Sequence, residues 1–149
     1  MGSLTKQILI NAPAQTIWDI LAAVERTPEW IDGVQESERT GEVCEGVGLR
    51  WRELSVLERQ HIEMAHEMVA WEPLKHLKVR SVLPMNGWLE RTLEIKSSGS
   101  SQEVEIKVDW DLGIAGMLLG EKKVADLMET LFETTLANLK DLAEKDLQA

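Results

Sequence analysis

Apolar and polar positions change their period along the chain, and each change marks an element. Thr5 to Ile10 is a short β-rich run that Asn11, Ala12 and Pro13 stop. Pro13 suits the first turn of a helix, with Asn11 or Ala12 as its cap. Ile17, Trp18, Ile20, Leu21 and Val24 then recur at helical spacing, which predicts an amphipathic helix over 13–24. Thr27-Pro28-Glu29 repeats the start signal, with a capping hydroxyl, a proline and an acid at the positive end of the helix dipole. Gly33 leaves that second helix only a few residues.

From Val34 to Gly113 the period is two. The runs 34–41, 48–57, 60–71, 75–84, 88–97 and 102–112 read as strands, punctuated by Gly41, Gly46 and Gly48, Glu72-Pro73, the hairpin signal Asn86-Gly87, and Ser97–Ser101. Turns this short join antiparallel neighbours, so the strands form a meander. Val104, Ile106, Val108 and Trp110 alternate with Glu103, Glu105, Lys107, Asp109 and Asp111, so one face is buried and the other wet. Gly113, Gly116 and Gly120 then loosen the chain around Met117, Leu118 and Leu119. That segment reads either as a mobile gate or as a packed entrance to the next helix. A long helix follows at about 121–146, with Val124, Leu127, Met128, Leu131, Leu139 and Leu142 on one stripe. At 1.5 Å per residue it runs about 40 Å, enough to cross a whole sheet. The order predicts one α+β domain over 1–149, a strongly curved antiparallel sheet gripping the last helix.

Strand phase also locates the exceptions. Leu49 and Trp51 bring Glu53 and Ser55 to their face, and Ile62, Met64 and Met68 bring His66. Leu77, Val79 and Leu83 bring Ser81, and Leu89, Leu93 and Ile95 bring Arg91. Four apolar faces thus each hold a polar residue: Glu53, His66, Ser81 and Arg91. Buried polar groups need partners. Either these four satisfy one another inside a core, or they are the few polar groups that orient a ligand in an apolar cavity. Trp51, Met64, Trp110, Met128 and Leu131 occupy the inward phases and inner helix stripe that would line it. If the cavity catalyses, His66 is the proton shuttle, Glu53 orients it and Arg91 holds an enolate or carboxylate.

Composition narrows the partners. The 149 residues carry 16 Lys and Arg against 26 Asp and Glu, a net charge of −10, which opposes nonspecific nucleic-acid binding and attachment to anionic membranes. Apolar runs are far too short to span a bilayer, and the N-terminus lacks the pattern of a secretory signal. With one cysteine, Cys44, neither an internal disulfide nor a cysteine-based zinc site is possible, and a reducing cytoplasm is the expected location. His61 and His66 face opposite sides of a strand and His76 falls on an outer phase, so no metal site is expected. No phosphate-binding, dinucleotide or nucleophile-elbow motif occurs, so no cofactor is expected either. Six Trp beside one Phe and no Tyr fit core filling, or in part a cavity lining.

The stretch INAPAQTIWDILAAVERTPEWIDGV at 10–34 resembles the opening of polyketide cyclase/dehydrase and lipid-transport proteins of the START/Bet v 1-like superfamily. GVGLRWRE at 46–53, EMVAWEPLKHLKVRS at 67–81 and the Trp88 strand continue the likeness over nearly the whole chain. The resemblance implies a helix-grip fold, a seven-stranded sheet wrapped on the C-terminal helix, with an apolar cavity between them. It implies a small hydrophobic ligand such as a lipid, polyketide or aromatic compound. Carriers and cofactor-free cyclases or dehydratases both occur in the superfamily, so catalysis stays open. Trp51, Met64, His66, Ser81, Arg91, Trp110, Met128 and Leu131 are the expected ligand contacts.

Overall fold

The computed structural model describes residues 1–148. Its seven strands are β1 (Gly2–Ile10), β2 (Val34–Thr40), β3 (Arg50–Leu57), β4 (Gln60–Glu72), β5 (His76–Leu83), β6 (Gly87–Ser98) and β7 (Ser101–Asp111). They form one antiparallel sheet in the order β1-β7-β6-β5-β4-β3-β2. Six strands meander, and β1 closes on β7 from Gly2↔Trp110 to Ile10↔Gln102. After β1 the chain passes through α1 (Ala14–Ala22) and a 3₁₀ helix (Val24–Glu29) to the opposite edge. α2 (Ile114–Leu119) and α3 (Glu121–Gln148) complete it.

α3 lies against β1 and α1, and its inner stripe buries Val124, Met128, Phe132, Leu136, Leu139 and Ala143. These meet the inward faces of the sheet at Trp51, Met68, Val79, Leu93, Ile106 and Val108. Three polar contacts fix α3 to the segment before β2: the Asp32 N–H donates to Thr135 Oγ1 at 3.1 Å, Asn138 Nδ2 donates to the Trp30 carbonyl at 3.2 Å, and Arg26 Nη1 donates to Asp146 Oδ2 at 3.0 Å. This is the gripped helix that the order of elements predicts.

Several local expectations need correction. β1 begins at Gly2 rather than Thr5, because pairing with β7 extends it beyond its own β-rich run. α1 stops at Ala22 and Pro13 is its N-cap, in extended conformation. Thr27 caps no helix; it lies inside the 3₁₀ segment, where its Oγ1 donates to the Val24 carbonyl at 3.0 Å. The turn before β6 places Met85 and Asn86 at φ of +61° and +63°, so these two form its centre and Gly87 opens the strand. Both central residues left-handed is the twist-matched hairpin geometry. On α3, Leu127, Leu131 and Leu142 are half-buried at the stripe's edge, while Phe132 and Leu136 take the centre.

Candidate functional site

The strand phases hold where the chemistry lies. Glu53 on β3, His66 on β4, Ser81 on β5 and Arg91 on β6 are exposed by only 1%, 3%, 0% and 6%. Register explains their meeting: His66 lies opposite Trp51 on one side and opposite Ser81 on the other, and Glu53 is two residues along from Trp51. Diagonal and directly opposed side chains on one face of a sheet come within reach of each other.

The result is a continuous chain of contacts. Ser81 Oγ lies 2.6 Å from His66 Nδ1, and His66 Nε2 lies 2.9 Å from Glu53 Oε2. The second contact is close, but its N–H is not aligned as a hydrogen bond. Glu53 Oε1 accepts the Trp51 indole N–H at 3.0 Å, and the Trp51 ring stacks on His66 at 5.2 Å between centroids.

Burial alone would raise the Glu53 carboxyl. The neighbouring His66, the positive charge of Arg91 and the Trp51 N–H outweigh it and hold the carboxyl down to about 2, so Glu53 is ionised at neutral pH. Burial pushes the His66 imidazole below its usual range by more than Glu53 raises it, which leaves it neutral near pH 7. An ionised Glu53 places the imidazole proton on Nε2, and Nδ1 then accepts from the Ser81 hydroxyl. Burial likewise lowers Arg91, against the pull of Glu53, but a guanidinium keeps its charge. Arg91 has no carboxylate within 4 Å among the described residues, and its Nε has no protein partner. Ser55 Oγ and Trp30 Nε1 are buried without partners as well.

Part of this network borders a cavity of about 70 Å³ between the sheet and α3. Met64, His66, Ser81, Arg91, Met128 and Leu131 all border it, together with Glu53, Ser55 and Phe132. Ser55 is legible by phase, and Phe132 by its spacing of four from Met128 and from Leu136. Trp51 and Trp110, expected in the lining, are elsewhere. Trp51 fills the space beneath Met68, Val79 and Trp30, beside a gap of only about 10 Å³. Trp110 lies near the end of β7 against Gly2, and borders an open outer groove of about 500 Å³ with Leu112 and Val124. That groove is the larger hollow, yet it holds none of the buried polar groups. The segment with Met117 borders the groove too, and none of its residues lines the cavity.

His61 is exposed and His76 half-buried beside Glu72, while Cys44 is an exposed free thiol. Among the described residues, no cluster of three or more His, Cys, Asp or Glu could hold a metal ion. No described helix is long and apolar enough to cross a membrane.

A seven-stranded antiparallel sheet wrapped on one long C-terminal helix defines the helix-grip fold. Residues 1–144 match the sequence model of the polyketide cyclase / dehydrase and lipid transport family, and the chain belongs to that family. No curated protein matches it. Solved structures with the same fold include a Thermus thermophilus protein, 20% identical with TM-score 0.79, covering 97% of this chain and 99% of that one. The Zhui aromatase/cyclase of Streptomyces sp. R1128 is 13% identical with TM-score 0.75, covering 99% and 93%. A START superfamily protein of Mycobacterium smegmatis is 15% identical with TM-score 0.76, covering 96% and 97%. At these identities the likeness establishes the fold.

Proposed function

We propose that this protein binds, and carries, a small hydrophobic compound in the cavity between the sheet and α3, in the cytoplasm. The observation that supports this is the cavity itself: mainly apolar walls, with Glu53, Ser55, His66, Ser81 and Arg91 as its buried polar groups. Met64, Met128 and Leu131 supply apolar contact, and Met conforms to irregular shapes at little cost. His66, Ser81 and Arg91 supply orientation. Trp51 acts indirectly, by stacking on His66 and holding Glu53.

The Ser81–His66–Glu53 chain favours a second reading, a cofactor-free cyclase or dehydratase. A neutral imidazole held between a hydroxyl and a carboxylate can take up a proton and return it.

One experiment separates the two. Native mass spectrometry of the purified protein identifies the compound it retains, and that compound is then offered to the wild type and to His66→Gln. A carrier should show no turnover, with affinity changed by about one hydrogen bond, roughly 0.5–1.5 kcal/mol or a factor of several. An enzyme using His66 should lose roughly 10²–10⁴ in rate while binding persists, because Gln cannot exchange a proton near neutral pH. Purified protein that retains no small molecule and binds none would contradict both.

A further inference from the structure

The cavity holds a buried guanidinium that no carboxylate touches, although the charge of Glu53 acts on it through space. Arg91 is nearly fully buried, no carboxylate lies within 4 Å of it among the described residues, and its Nε lacks a protein partner. The nearby acid is already committed: Glu53 Oε1 takes the Trp51 N–H, and Oε2 faces His66. The buried Ser55 hydroxyl, also without a partner, borders the same cavity. A planar guanidinium with five donors matches the two oxygens of a carboxylate.

The surroundings set the direction of entry. Arg91, Glu53, Ser55, His66 and Ser81 are buried, whereas Leu57, Ile62, Met64, Leu83 and Leu131 on the same cavity are half-buried and reach toward solvent. The guanidinium therefore sits deep, while half-buried apolar side chains and the exposed Asp32 stand nearer solvent. At about 70 Å³ the cavity is small, so a carboxylate and its first carbons would fill it and a longer tail would extend to the mouth.

We infer that the ligand is an amphipathic monocarboxylic acid, bound head-first with its carboxylate on Arg91 and its apolar tail among the side chains of the mouth. This rests on the cavity being the binding site, as proposed above, and adds the class of ligand. An alcohol or ester of the same skeleton would fill the same apolar walls but leave the guanidinium unpaired.

The test is isothermal titration of the intact protein near neutral pH with octanoate, octanol and methyl octanoate. The wild type should bind octanoate roughly ten- to a hundredfold more tightly than either neutral compound, the span of a charge-assisted hydrogen bond. Arg91→Met should erase that preference while keeping octanol binding, which also verifies that the variant is folded. Wild-type ranking alone decides the matter should the variant not fold. Equal or weaker binding of octanoate, with octanol bound, overturns the carboxylate site and leaves the apolar cavity standing. A preference that survives in Arg91→Met overturns the role of Arg91. Failure of all three compounds to bind, while the protein retains another hydrophobic compound, overturns the monocarboxylate assignment alone; failure to bind any such compound overturns both readings.

Discussion

Glu53 is the residue on which the buried network depends, because its two oxygens hold Trp51 and face His66 while its charge lies near Arg91. Its carboxyl falls from an ordinary 4.5 to about 2 on folding. A depressed carboxyl contributes stability that is complete above the unfolded value and fades as pH falls toward the folded one. The contribution is about 3 kcal/mol, lost between roughly pH 5 and pH 2. His66 acts in the same direction: its folded form resists protonation, so stability begins to decline as pH drops below about 6.5. Urea unfolding at stepped pH should show stability falling across this window, with Glu53→Gln removing the lower part of the slope. A Glu53→Gln slope equal to that of the wild type would contradict the assignment. At this scale the sequence is informative, since alternation alone brings Glu53, His66, Ser81 and Arg91 to one face. It does not say that Trp51 turns its N–H to Glu53, because phase gives a side and not a rotamer.

At the scale of elements, strands are easier to read than their connections. A period of two survives any tertiary context that buries one face, so six of the seven strands lie within a residue or two of expectation at most ends. The sequence pattern cuts β1 short because its first residues owe their extended form to partners on β7. The 3₁₀ segment defeats the capping rules, because Thr27-Pro28 satisfies a start signal while buried contacts decide where the turn falls. The glycine-rich segment has the composition of a gate, but Gly113 has a fixed structural task. It sits at φ +61° and ψ −132°, with the Met85 and Asn86 backbone where a Cβ would go. That conformation is open essentially to glycine alone. Gly113→Ala should lower stability by at least about 1 kcal/mol in thermal or urea unfolding, while ligand affinity at the cavity stays unchanged. A variant as stable as the wild type would show that the junction of β7 and α2 yields easily.

Over the whole molecule, a chain with net charge −10 encloses one buried carboxylate and one buried guanidinium among the described residues. The surface ion pairs, such as Lys6–Glu129 at 3.0 Å, join mostly exposed groups and add little each. The order of elements makes the gripped helix legible, because a meander followed by one long amphipathic helix has few ways to bury both faces. The cavity is less so. Which inward side chains meet and which leave space depends on sheet curvature and helix placement, and neither is written in the period of the sequence. Trp110 has the right phase but stands at the sheet's end, beyond the enclosed space. The six methionines offer a direct test, because they are spread over the alternatives: Met64 and Met128 border the cavity, Met1 and Met117 the outer groove, Met68 the core and Met85 the β5–β6 turn. Methyl-labelled methionines, followed by NMR during titration with octanol, report where an apolar compound goes. The account requires saturable shifts at Met64 and Met128, with Met1 and Met117 unmoved. Shifts confined to Met1 and Met117 would place the ligand in the outer groove and contradict it.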